Sequence, residues 1–256
     1  MIRKFANTRR KPANVKVGVQ VRRPMKVRIR AVDPYKKGAV YIDRLATVQD
    51  SKYFEIRMPQ SPQKLLIMVS CDQGRAGEDQ IKVNLEKINL PQHIPCLSGK
   101  KVASFLKFAR QFSENAGILS AGRYQSDDGV YTIDYLPVIK HHGRVLSTPA
   151  RISNQTGRME ISMKAFRRMT IPMRMAILCH EFSHFYLNEV QKDEIEADLN
   201  ALTLYMGMGY PVIEAHKAFL ETFHNSPSEV NKERYEYLKV FIDNFDTLKH
   251  EICFPN

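Results

Sequence analysis

His180, Glu181 and His184 stand in the segment His-Glu-Phe-Ser-His, residues 180–184. Residues four apart on a helix lie about 40° from each other, one turn up, so both imidazoles can reach one ion. Glu181 sits beside them, placed to take a proton from a metal-bound water. Ile171, Ala176, Ile177, Leu178, Phe182 and Phe185 surround the motif, which predicts a buried, rigid helix. Low polarity there strengthens the effect of a metal on its water. Two histidines at this spacing also occur by chance on ordinary helices, so the motif needs a further ligand.

Ten residues after His184 comes Glu194-Ile-Glu-Ala-Asp198. Glu194 and Asp198 are four apart and share a helix face. Glu194 is the candidate third ligand. Asp198 can accept the far N–H of a ligating histidine and fix its tautomer. Glu196, about 160° around the helix from Asp198, is expected to face solvent. Acids at a helix start are favoured by the helix dipole, which accounts for positions 193–196 but not for Asp198 one turn further in. Tyr205 lies three turns on from Glu194 along the same face and is a candidate stabiliser of an oxyanion. Its plainer reading is a packed core tyrosine. His216 and His224 are weaker candidates for the same role. Cys179 adjoins a ligand but points off the metal face and reads as packing.

An HExxH segment followed by ExxxD on the next helix resembles the gluzincin pattern of thermolysin-like zinc peptidases. The spelling Glu-x-x-Ala-Asp is similar to that of heat-shock membrane proteases and prenyl-protein proteases. Those families carry transmembrane helices and this sequence has no run of that kind, so only their catalytic core compares. The short gap from His184 to Glu194 resembles the compact soluble gluzincins, in which one tight turn, here 189–193, joins the two helices. The resemblance covers roughly residues 98–250, and the motif itself 180–198. It implies a zincin-like domain with one zinc per chain on His180, His184 and Glu194, Glu181 as general base, and hydrolysis of a protein or peptide substrate. It also implies that the last strand before the active helix, Met159-Glu-Ile-Ser-Met163, forms the edge of the cleft and pairs with an extended substrate.

The elements that must position these groups are legible from patterning. Thr170 is the expected N-cap of the motif helix, with Pro172 in its first turn and an end near Asn188. Further helices are expected over about 193–206, from about Pro211, and from the Ser226-Pro-Ser-Glu229 capping box to about Leu248. An earlier helix is expected over 99–115, capped by Ser98, with strands over 130–139 and 158–163 and a turn at Gly157. Before residue 90 the pattern changes to period two. Val15, Val17, Val19 and Val21 alternate, then Met25, Val27 and Ile29 alternate with Lys26, Arg28 and Arg30. Strands are also expected at 39–42, 53–58 and 65–70. The fold class is therefore α+β: a flexible basic arm at 1–12, a small β domain at 13–95, a linker at 91–98, and a metallopeptidase-like domain at 96–256.

Charge divides along the same line. The net charge is +12, and residues 1–37 hold thirteen Lys and Arg against Asp33 alone, so the rest of the chain is neutral. Arg9, Arg10 and Lys11 in the arm, with Lys26, Arg28 and Arg30 on one strand face, are candidates for binding nucleic acid or an acidic protein. The four cysteines form no CxxC pair, which argues against a disulfide framework or a cysteine zinc site. There is no apolar leader and no apolar run of about 20 residues, so a chain neither secreted nor membrane-spanning is expected, in the cytoplasm or inside a phage particle. Two other readings compete with the peptidase. One is a structural or assembly protein, such as a tailed-bacteriophage virion component, built on a peptidase fold. The other is a nucleic-acid-binding regulator, similar in outline to the compact DNA-damage and immunity-repressor proteases, for which no helix-turn-helix is visible. Intact ligand, base and supporting positions favour activity.

Overall fold

A computed structural model describes residues 1–71, 74, 78–90, 99–225 and 228–253, without the side chains of 222–225 and 246–253. The chain divides into two compact units, Met1–His93 and Ile94–Asn256. It is a mixed α+β protein whose β region comes first.

The first unit holds two antiparallel sheets. One has the order β1-β6-β3-β4, from Ile2–Asn7, Lys64–Cys71, Met25–Val32 and Val40–Val48. The other has the order β5-β2-β7, from Ser51–Met58, Ala13–Val21 and Ile81–Asn89. The alternation dictates the faces. Val15, Val17 and Val19 are fully buried, while Lys26, Arg28 and Arg30 are exposed between buried Met25, Val27 and Ile29. Each fully buried valine contributes about 1.5–3 kcal/mol over an exposed one.

Residues 1–12 are not the flexible arm expected from sequence. Ile2–Asn7 pairs in full antiparallel register with β6, from Ile2 against Val69 to Asn7 against Lys64. An edge strand is held by backbone bonds on one side, so it needs little apolar periodicity, and that is why the pattern missed it. Its Arg3 and Lys4 also suit an edge that must not pair further. Arg9, Arg10 and Lys11 lie on the turn into β2. The Arg9 and Arg10 amides donate to the carbonyls of Gln63 and Pro62 at 2.9 and 3.1 Å, so the three cations are exposed on a fastened turn. Strand β7 was also missed, although Ile81, Val83 and Leu85 alternate with Lys82, Asn84 and Glu86.

In the second unit the sheet order is β12-β13-β9-β8, from Ala150–Ile152, Met159–Ser162, Thr132–Leu136 and Gly122–Gln125. Strands β13 and β9 run parallel and the other pairs antiparallel. A small hairpin, β10 at Lys140–His141 and β11 at Arg144–Val145, precedes β12. The helices are α1 (Lys100–Asn115), α2 (Met163–Phe166), α3 (Ile171–Tyr186), α4 (Glu194–Gly207), α5 (Val212–Asn225) and α6 (Glu229–Cys253). The linker at 91–98, the Ser98 cap and the first residues of the Ser226 capping box lie outside the described residues. Helix α1 has Gly99 as its N-cap and no side-chain cap bond, and the Ser228 hydroxyl accepts from the Asn231 amide at the start of α6.

Helix α3 is the axis of this unit. Every residue from Ile171 to His184 is buried, because α1, α4, α5 and β12 surround it. Thr170 caps it as expected, accepting from the Met173 amide at 3.3 Å. The Thr170 hydroxyl in turn donates to Glu214 of α5 at 2.7 Å. Phe182 stacks on Phe105 of α1 at 4.0 Å between ring centres, and on Tyr186 at 4.8 Å. Gly157, with φ 66°, turns the chain into β13, where a Cβ would meet the Tyr186 hydroxyl at 2.8 Å and the Phe185 ring at 2.9 Å. Only glycine fits so close an approach at that backbone angle. No helix among the described residues is long and apolar enough to cross a membrane.

Candidate metal centre

The structure brings His180, His184 and Glu194 together. One ligand atom from each falls within 4.8 Å of the others, a group able to hold a metal ion. The two Nε2 atoms are 3.0 Å apart. Glu194 Oε2 is 3.5 Å from His180 Nε2, and its Oε1 is 3.6 Å from His184 Nε2. The helical step sets the first pair, and the tight return of α4 against α3 brings the third.

The far side of each ring is also engaged. His184 Nδ1 lies 2.7 Å from the Gln191 carbonyl, which makes Nδ1–H the donor and leaves Nε2 as the lone pair facing the cluster. His180 Nδ1 lies 2.8 Å from Asp198 Oδ1, off the direction of the ring N–H, so this is a close charge contact rather than an aligned hydrogen bond. It still orients the ring with Nε2 toward the cluster. The carbonyl of Gln191 belongs to the turn between α3 and α4. Asn188 donates to the Asp193 carbonyl there at 2.8 Å. Glu196 accepts from the Glu189 and Val190 amides at 2.9 and 3.3 Å. Glu196 is therefore a clasp for the turn, not the solvent-facing residue expected from its helix angle. The helix wheel gives a direction but says nothing of a loop that folds back onto it.

Burial and charge act against each other at this cluster. Burial disfavours the His180 imidazolium, but Asp198, Glu194 and Glu181 outweigh it and push His180 up to about 10. Burial would raise Glu194, yet His180, His184 and Arg234 hold it far below the usual carboxylate range. Glu181 moves the other way. Burial raises it, Glu194 adds to the rise, and His180, His184 and the Ile152 amide only partly offset that. The result is a cation-seeking pocket with one carboxylate biased toward holding a proton.

A cleft of about 570 Å³ opens over these groups. Its wall is built by residues 147–152, together with Phe219 and Arg234. Here the structure corrects the sequence reading of the substrate edge. Met159–Ser162 is an inner strand, paired to β12 on one side and β9 on the other. The edge beside the cleft is β12, with Ala150, Arg151 and Ile152 in its lining. A three-residue strand carries too little periodicity to be recognised in sequence.

Tyr205 does not reach the cleft. It is fully buried, stacks on Tyr210 at 5.1 Å and donates its hydroxyl to the Pro211 carbonyl at 3.0 Å. Its three-turn offset from Glu194 places it beyond the end of the site, inside the core. Tyr205→Phe is expected to cost about 1 kcal/mol of stability and leave metal content unchanged, checked by urea unfolding and metal analysis. His216 is half-buried, packs near the Tyr235 ring and is lowered by burial. The side chain of His224 lies outside the described residues. Cys179 is wholly buried, and burial pushes its thiol up to about 12, in keeping with packing.

Sequence reasoning missed Arg234. Its Nε and Nη2 donate to Asp198 Oδ2 and Oδ1 at 2.8 and 3.1 Å, and its Nη1 is 3.0 Å from Glu194 Oε2. It stands 36 residues beyond Asp198 on another helix, with no local signal to mark it.

No protein-family model, no curated protein and no solved structure matches this chain.

Proposed function

We propose that the second unit is a zincin-like, gluzincin-type metallopeptidase domain that uses one zinc ion to hydrolyse peptide bonds of a protein substrate. The observation that carries this reading is the convergence of both Nε2 atoms and Glu194 on one point, with Glu181 adjacent and the far side of each ring engaged. Two imidazoles and one carboxylate are the donor set of catalytic rather than structural zinc sites. When bound, zinc polarises the scissile carbonyl and lowers the pKa of water. His180, His184 and Glu194 hold the ion. The Glu181 carboxylate accepts the proton from water and passes it to the departing amine, a role that its raised pKa suits. Strand β12, the terminal strand of the sheet beside the cleft, is where an extended peptide would add, which fixes the scissile bond over the cluster. The experiment is metal analysis of the purified chain and of His180→Ala, with digestion of unfolded protein substrates. One zinc per chain, lost in the variant, and cleavage abolished by chelation and restored by zinc are expected. A metal-free wild-type chain overturns the reading.

The exposed cations of the first unit favour a second, separate proposal, contact with nucleic acid or an acidic protein. Arg28 is matched by Asp43 at 2.8 Å, and Arg30 shares the same carboxylate at 3.5 Å, so among the described residues a single acid faces both. Such a contact is compatible with an enzyme and with a virion or assembly protein that keeps the metal for stability.

A further inference from the structure

We propose that Arg234 is a positioning residue for the cation site, orienting Glu194 directly and His180 through Asp198. The inference rests on the metal-binding reading of His180, His184 and Glu194, and it extends that reading to the last helix, which supplies no ligand.

Arg234 is 8% exposed and Asp198 1%, so this ion pair is sheltered from water and geometrically constrained. The planar guanidinium spends its donors in three directions. Nε and Nη2 take both oxygens of Asp198. Nη1 carries two hydrogens, and lies 3.0 Å from Glu194 Oε2 and 3.2 Å from Asn231 Oδ1. Two consequences follow for the ligands. Oε2, which faces His180 Nε2 at 3.5 Å, is the oxygen that Arg234 Nη1 approaches at 3.0 Å, so the guanidinium fixes how the Glu194 carboxylate sits against the two rings. With both Asp198 oxygens held, Oδ1 stays 2.8 Å from His180 Nδ1, a charge contact that favours the ring orientation with Nε2 toward the cluster. Glu194 is half-exposed, and the groups its carboxylate meets, His180, His184 and Arg234, stand on other helices. A lysine keeps the charge but has one nitrogen, and cannot grip Asp198 at two points while reaching Glu194. Substituting it therefore separates geometry from charge.

The test uses the full chain and Arg234→Lys. Zinc affinity is measured by competition with a chromophoric chelator, and the visible spectrum of the cobalt-loaded protein reports the ligand geometry. Positioning predicts a folded variant whose zinc affinity falls about 10–100-fold, the usual cost of losing a supporting partner of a metal site. It also predicts altered cobalt bands, because the Glu194 carboxylate and the His180 ring are no longer held in one orientation. Wild-type affinity together with an unchanged cobalt spectrum would show that Arg234 only fastens α6 to α4, and overturns the proposal. Should the lysine variant not fold, Arg234→Gln carries the same readouts, since its amide can serve one carboxylate but not both. If the wild-type chain itself takes up neither zinc nor cobalt, the metal reading fails first and this proposal falls with it.

Discussion

Glu181→Gln is expected to leave the chain folded and metal-loaded while slowing peptide hydrolysis by about 10²–10⁴-fold, the usual contribution of a positioned general base. Glutamine keeps the shape of a side chain that is 7% exposed, so packing around α3 is preserved. It removes the ability to accept a proton, and it leaves His180, His184 and Glu194 untouched. One modest side effect is foreseen. Glu181 is one of the carboxylates that draw positive charge to His180, so metal affinity should weaken slightly. Metal content and cleavage rate, measured on the same preparations, separate the two effects. A variant that cuts at the wild-type rate removes Glu181 from the mechanism. If neither protein cuts any member of a broad peptide library while both hold metal, the site is structural and the assembly-protein reading takes over.

Asp198→Ala should weaken zinc binding by about 10–100-fold through loss of the contact behind His180. The structure adds a stability cost that a role behind His180 does not by itself carry. In fact Asp198 carries the charge of Arg234, and both are buried. Removing the acid strands a buried guanidinium, a cost of about 3–5 kcal/mol. Urea unfolding of the metal-free proteins measures it. Replacing both partners with neutral residues, as in Asp198→Ala with Arg234→Met, should recover part of the loss because no buried guanidinium is then left without Asp198. An Asp198→Ala protein as stable as the wild type would show that Glu194 suffices to hold Arg234.

Much of this protein follows from short-range pattern. The four valines of β2 had to face inward, because side chains on a strand alternate and the unit has one apolar interior. His180 and His184 had to share a face, because four residues make about one helical turn. Thr170 capped its helix and Asp193 the next, each accepting from a backbone amide three residues on, since the first amides of any helix need such partners. Glu194 and Asp198 reached the cluster because a short turn leaves α4 little choice but to fold back along α3. These are facts of local geometry, carried by spacings of two to ten residues.

Tertiary structure decided what spacing cannot carry. Ile2–Asn7 became a strand because β6 had a free edge to pair with, not because of its own sequence. Strand β12, rather than Met159–Ser162, formed the edge beside the cleft because β13 had partners on both sides. Tyr205, on the face expected for the site, went into the core because the helix runs past the cluster before that turn is reached. Arg234 came from 36 residues beyond Asp198, brought in by the packing of α6 on α4. The division has one physical cause. Periodicity and capping are set by covalent neighbours, whereas a sheet edge, a cleft wall and a buried ion pair exist only where distant segments meet.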